Sequence, residues 1–140
     1  MAAGDTVGYS GTPLSKKLGI VADCRLAVID GPDGLTLALP GGVTMRTAVR
    51  GPLDVCVFFT TSAARLDARW PKLTASMTPS GGLWVAWPKR SSGVPTDITE
   101  QTLRDLLLPT GWVDNKVCAI DATWSGLRFV LRKELRPKGA

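Results

Sequence analysis

The chain has 140 residues, 44% of them hydrophobic, which is enough for one domain with its own core and too few for two domains of ordinary size. It contains no histidine, which removes Ser-His-Asp, Cys-His and histidine-ligated metal chemistry, and 17 Lys and Arg against 12 Asp and Glu leave a formal charge of +5. Three scattered cysteines without a Cys-x-x-Cys pair read as small apolar residues, and no apolar run reaches the ~18 residues of a membrane span, so a soluble cytoplasmic protein without a membrane partner is expected.

Residues 1–11 are small and glycine-rich, with too little apolar content to fold alone, and are expected to form a flexible arm. A single domain over residues 12–133 and a basic tail over 134–140 follow. Thr12, Pro13 and Gly19 bracket a short helix with Leu14 and Leu18 one turn apart on one face. Leu26 to Asp30 is an apolar strand ending on an acid, and Gly31, Pro32, Asp33 and Gly34 lead into an apolar segment reaching Leu39. A strand, a tight glycine turn and a helix entrance form a ligand-binding arrangement, and the same residues also make an ordinary β-turn.

Val43 to Val49 alternates as a second strand nearer an edge, ended by Arg50, Gly51 and Pro52. Val55 to Phe59 is a fully apolar central strand that stops at Thr60 and Thr61. Ser62 then caps a helix carrying Leu66, Trp70, Leu73 and Met77 on one face, in which Pro71 predicts a kink or a restart. Leu83 to Trp87, bounded by Gly82 and Pro88, reads as a central strand covered on both faces.

At the carboxyl end of that strand stand Lys89, Arg90, Ser91, Ser92 and Gly93. Two cations, two hydroxyls and a flexible backbone make a candidate anion cradle, with a solvated loop as the alternative. Asp97 and Glu100 have capping-box spacing, and their helix turns Leu103, Leu106 and Leu107 inward until Pro109 and Gly111 stop it. Val113 to Asp121 and Leu127 to Leu131 alternate on either side of "ATWSG" and form a hairpin.

Strands and helices that alternate and then close on a hairpin give an α/β class, a three-layer Rossmann-like sandwich with a mostly parallel sheet. This succession, over residues 12–133, resembles a shortened class I methyltransferase fold, which implies the strand order 2-1-3-4-6-5. The resemblance puts Asp30, Gly31 and Gly34 where that family's acidic, glycine-rich loop holds the amino-acid part of S-adenosylmethionine, with Pro32 interrupting the pattern. Arg50 stands where the family has an acid for the ribose hydroxyls, so a phosphate-bearing nucleotide is more compatible than the sulfonium cofactor. "YSGTPLSKKLGI", "GGLWVAWPKRSSGVPTDIT" and "DNKVCAIDATWSGLRFVLRK" also look like the signatures of a small actinobacterial family of domains of unknown function, a likeness that supplies no activity and no site.

Three functions compete. The first is a non-catalytic small-ligand or nucleotide-binding domain with a phosphate-bearing small molecule as partner, held by strand ends carrying Asp30, Thr60, Lys89 and Arg90. No motif specifies a cofactor, a metal, a catalytic residue or an oligomeric state. The second is a methyltransferase-like enzyme with Asp30, Asp114 or Asp121 as acid or base. The third is an interaction module that meets an acidic partner or nucleic acid through Arg128, Arg132, Lys133, Arg136 and Lys138, although a short basic end is ordinarily a solubilising one.

Overall fold

The computed structural model describes residues 13–137, so the arm over 1–11, the Thr12 cap and the last three residues of the tail lie outside the described residues. Six strands, β1 (Arg25–Ile29), β2 (Thr44–Arg46), β3 (Leu53–Phe59), β4 (Met77–Pro88), β5 (Trp112–Ala119) and β6 (Trp124–Leu131), form one sheet in the order β2-β1-β3-β4-β6-β5. β2, β1, β3 and β4 run parallel, and the β5–β6 hairpin places β6 antiparallel beside β4. The α/β class and the strand order expected from the sequence are those observed.

Among the described residues the α-helices are α1 (Leu14–Lys17), α2 (Ala63–Ala75) and α3 (Glu100–Leu107). Alternation along the apolar central strands feeds two cores. Ala27, Ile29, Cys56, Phe58, Val85 and Trp87 meet Leu66, Trp70 and Leu73 of α2 and Leu103 and Leu107 of α3 on one face. Leu26, Val28, Val57, Phe59, Trp84 and Ala86 meet Leu14 and Leu18 of α1 on the other. Trp70 anchors the first core, packing edge-on against Trp112 and Phe129 while its indole N–H donates to Thr110 Oγ1 at 3.0 Å.

Several local expectations are corrected. Residues 31–43 form no helix or strand, so the parallel crossover from β1 to β2 runs as irregular chain, with Leu35, Leu37 and Val43 packed on the second core. The expected helix entrance after Gly34 is therefore absent, and a turn closed by Leu35 N–H on the Pro32 carbonyl takes its place. β2 is three residues long and stops at Arg46, well short of Val49.

α2 runs through Pro71 without a restart, and both Pro71 and Asp67, whose carbonyl loses its intrahelical donor there, face solvent. Met77 belongs to β4 and not to the helix. Thr99 and Thr102 form the capping box of α3, and Asp97 instead accepts from the Ala63 N–H at 2.8 Å, at the start of α2.

One ion pair ties neighbouring strands. Arg25 in β1 donates from its backbone N–H and its guanidinium to Asp54 in β3, with Nε to Oδ2 at 3.0 Å. The guanidinium hydrogen bond holds the Asp54 carboxyl below its ordinary value. The folded state then binds the proton less readily than the unfolded chain, so this contribution is present above the ordinary carboxylate range near pH ~4 and fades as pH falls through the lowered value. Urea midpoints of Asp54→Asn and the parent protein are expected to differ at neutral pH and to converge as the pH falls through the lowered value.

Candidate functional site

Parallel strands β1, β3 and β4 finish on one edge of the sheet, where Asp30, Thr60 and Lys89 follow them. Open α/β sheets bind ligands outside such an edge. The edge does not hold one common hollow, however. Among the described residues it holds two, with Asp30 and Thr60 lining one, Lys89 and Arg90 the other, and Gly31, Gly34, Arg50, Ser91 and Ser92 lining neither.

The smaller hollow, about 270 Å³, is lined by Asp30, Phe59, Thr60, Thr61, Arg65 and Trp124. Asp30 adopts a left-handed backbone with φ 56°, a conformation that aspartate tolerates better than most residues. Its carboxylate is engaged by the Arg65 guanidinium of α2 at 2.7 Å. Thr60 is 5% exposed, and its hydroxyl donates to the Ser62 carbonyl and accepts from the Ser62 N–H, so it holds the turn into α2. Phe59 and Trp124 close the wall edge to face, with ring centres 5.2 Å apart. Gly31 and Gly34 do not line this hollow, and a Cβ at Gly31 would stand 2.9 Å from Val28 Cγ1, so Gly31 serves close passage of the chain.

The larger cleft, about 550 Å³, opens on the α3 side of the same edge. Trp87, Pro88, Val94, Pro95 and Ile98 give it an apolar floor, with Lys89, Arg90, Thr96, Glu100 and Ser125 around it. A single turn of 3-10 helix, Arg90–Ser92, follows β4 and ends on Gly93 at φ 75°. Ser92 Oγ donates to the Lys89 carbonyl at 2.6 Å and accepts from the Val94 N–H at 3.2 Å. Its hydroxyl is committed to shaping the loop, and neither Ser91 nor Ser92 lines the cleft.

Thr96 pins the far side of the loop by donating to the Thr61 carbonyl at 2.8 Å. The Lys89 N–H donates to the Thr123 carbonyl at 2.7 Å, which ties the near side to the hairpin. Glu100 is paired with Arg104 at 2.9 Å, whereas Lys89 and Arg90 make no salt bridge among the described residues. The cleft thus combines an apolar floor with two uncompensated cations.

Arg50 joins neither hollow. β2 ends at Arg46, and Arg50 lies three residues before β3 begins, at the opposite, amino-terminal edge of the parallel strands. The chain has already turned back by that point, and the Arg46 guanidinium donates to the Arg50 carbonyl at 2.9 Å. Sequence reasoning also missed Arg65 as the partner of Asp30, since 35 residues separate them and nothing local links them. Val94, Pro95 and Thr96 carried a signal in the "GVPTD" run that follows the cationic turn.

The aspartates considered as acid or base do not converge. Asp114 pairs with Arg104 at 3.1 Å, Asp121 Oδ1 accepts from the N–H groups of Thr123 and Trp124 in the hairpin turn, and Asp30 pairs with Arg65. Burial pushes the Cys56 thiol up to about 12 and raises that of Cys118, so neither is a thiolate at neutral pH. Among the described residues no group of three His, Cys, Asp or Glu is placed to hold a metal, and no helix is long and apolar enough to cross a membrane.

The strand order and crossover pattern can be set beside solved structures. A ribosomal protein L11 methylase from Lactobacillus delbrueckii subsp. bulgaricus superposes with a TM-score of 0.54 at 12% identity, over 85% of this chain and 74% of that one. Magnesium protoporphyrin IX methyltransferase from Synechocystis PCC 6803, solved with bound SAM, gives a TM-score of 0.55 at 11% identity, over 84% and 74%. A SAM-dependent methyltransferase from Aquifex aeolicus gives 0.52 at 12% identity, over 81% and 85%. The fold is the Rossmann-like one that these three structures share. No protein-family model and no curated protein sequence matches the chain.

Measured against that fold, the residues present do not fit the sulfonium cofactor in the manner expected from the resemblance. The Asp30 carboxylate is taken by Arg65, no helix follows the glycine turn, and β2 ends on Arg46 in place of an acid for ribose hydroxyls.

Proposed function

We propose that the chain is a methyltransferase-like domain that binds a small molecule, one with a flat apolar part and an anionic group such as phosphate, in the cleft beyond β4. The observation that carries this reading is the pair Lys89 and Arg90, without salt-bridge partners among the described residues, at the rim of a floor made by Trp87, Pro88, Val94 and Ile98. Apolar surface supplies the gain on burying the ligand body, and the cations orient its charge. The fold likeness supports a methyltransferase-like protein over a purely passive binder.

Calorimetry against a panel of nucleotides and phosphorylated metabolites tests this. A saturable ligand should bind the double variant Lys89→Gln, Arg90→Gln about tenfold or more weakly, with melting temperature unchanged, because both side chains reach solvent. Binding that ignores both substitutions would remove the cleft from consideration.

A second reading, methyl transfer from S-adenosylmethionine, is favoured by the named neighbours, one of them solved with SAM. Titration with S-adenosylmethionine and S-adenosylhomocysteine decides it. Binding abolished by Asp30→Asn would support this reading through the smaller hollow, and absence of heat with either compound would end it.

A further inference from the structure

A third concave site lies away from the carboxyl edge, on the sheet face that carries α1. It is a hollow of about 190 Å³ lined by Lys17, Leu18, Gly19, Asn115, Lys116 and Arg128. Three cations and no carboxylate line it, and among the described residues none of Lys17, Lys116 and Arg128 forms a salt bridge. The neighbouring Asp114 is already committed to Arg104.

The way the sheet builds this hollow is informative. Asp114 pairs with Phe129 and Lys116 with Arg128, so the register slips at Asn115 and β5 bulges there. The slip sets Lys116 directly across from Arg128, and like charges in that position are destabilising in a sheet. Arg128 in turn pairs with Trp84 of β4, whose indole N–H donates to the Leu18 carbonyl at 3.0 Å, which brings the residue after Lys17 against the same patch. The Arg128 guanidinium is half-buried over Gly82, and among the described residues it donates to the neutral Asn115 Oδ1 at 3.3 Å. Burial, with Arg136 nearby, lowers the pKa of Arg128, the mark of a cation that lacks a counter-charge. An anion seated among the three side chains would relieve both the repulsion and the unmatched desolvation.

We propose that this hollow is a binding site for a phosphate group, held by Lys17, Lys116 and Arg128. It is separate from the cleft beyond β4 and does not depend on what that cleft binds. The shared chemistry is a phosphate oxyanion, carried either by a small molecule or by a phosphodiester backbone. The basic C-terminal stretch noticed in the sequence contributes Arg128 to it directly and Arg136 through its field.

Backbone amide chemical shifts of the full chain, followed by NMR during titration with inorganic phosphate, provide the test. Saturable shifts at Leu18, Gly19 and Lys116 are expected, and Lys116→Gln and Lys17→Gln should each weaken the apparent affinity about tenfold. Arg128→Gln should abolish saturation. If that variant loses its native spectrum, the two lysine variants carry the test, since Lys116 is exposed on the bulge and Lys17 reaches the surface. A parallel titration with a short single-stranded oligonucleotide distinguishes the sources. Tighter binding than phosphate, steeply weakened by salt and by the same substitutions, assigns a phosphodiester, whereas phosphate binding without it assigns a small molecule. No saturable response to either probe, or saturation indifferent to the lysine substitutions, would overturn the proposal.

Discussion

Trp84→Ala is expected to lower the unfolding free energy by ~3–5 kcal/mol, the range for emptying a large aromatic from a core. Trp84 is 0% exposed at the middle of β4, between β3 on one side and β6 on the other. Its ring belongs to the core that holds α1, and its indole N–H bonds the Leu18 carbonyl across 66 residues of sequence. Removal therefore takes away packing and strands a carbonyl at the end of α1. Trp84→Phe separates the two effects, since it keeps most of the ring and loses the donor, for an expected ~1–3 kcal/mol. Urea unfolding of both variants, followed by tryptophan fluorescence and by circular dichroism, would show the order. Equal midpoints for Ala and the parent protein would contradict the placement of this side chain.

Gly51→Ala is the second large effect expected, ~1–3 kcal/mol, from overpacking against backbone. A Cβ at Gly51 would collide with the Ser76 carbonyl oxygen and stand 2.9 Å from the Ser76 Cα. Ser76 cannot retreat cheaply, because its carbonyl accepts from the Leu53 N–H at 2.8 Å and its N–H donates to the Leu73 carbonyl, fixing the exit of α2 beside the entry of β3. Gly41→Ala is the matched control, as its Cβ would meet nothing within 4 Å and its backbone is not left-handed. A thermal melt in which Gly41→Ala behaves as the parent and Gly51→Ala falls by several degrees would fit this picture. The same melting temperature for both variants would not.

The candidate site shows where sequence reasoning loses reach. Lys89 and Arg90 were legible as a cationic turn at a strand end, because strand ends follow from apolar runs that stop at Pro88. Ser91 and Ser92 looked alike in the sequence as hydroxyl donors, yet Ser92 is consumed by its own loop and neither lines the cleft. Asp30 and Arg90 share an edge but line different hollows, and the loop after β4 is pinned to the start of α2 through Thr96 and Asp97. Continuous alternation from Val43 to Val49 places Arg50 at the end of the second strand in the sequence. Only the three residues Thr44–Arg46 find a pairing partner on β1, and the chain beyond them returns to the opposite edge.

What the residues alone determined was the α/β class of the molecule and its closing hairpin, while the order of the strands came from the resemblance to the methyltransferase fold. Continuous apolar runs at Leu26–Ile29, Val55–Phe59 and Leu83–Trp87 demand cover on both faces, and the closing alternation demands a hairpin, so a local pattern is sufficient for a parallel sheet with an antiparallel end. Which side chains meet was decided only by the tertiary structure. The pairing of Asp30 with Arg65, the bond from the Ala63 N–H of α2 to Asp97 and the gathering of Lys17 with Lys116 and Arg128 bring Asp30, Asp97 and Lys17 to partners from 34 to 111 positions away. Such contacts depend on register and on the bulge at Asn115, and a one-residue slip in either would turn the same side chains to the other face.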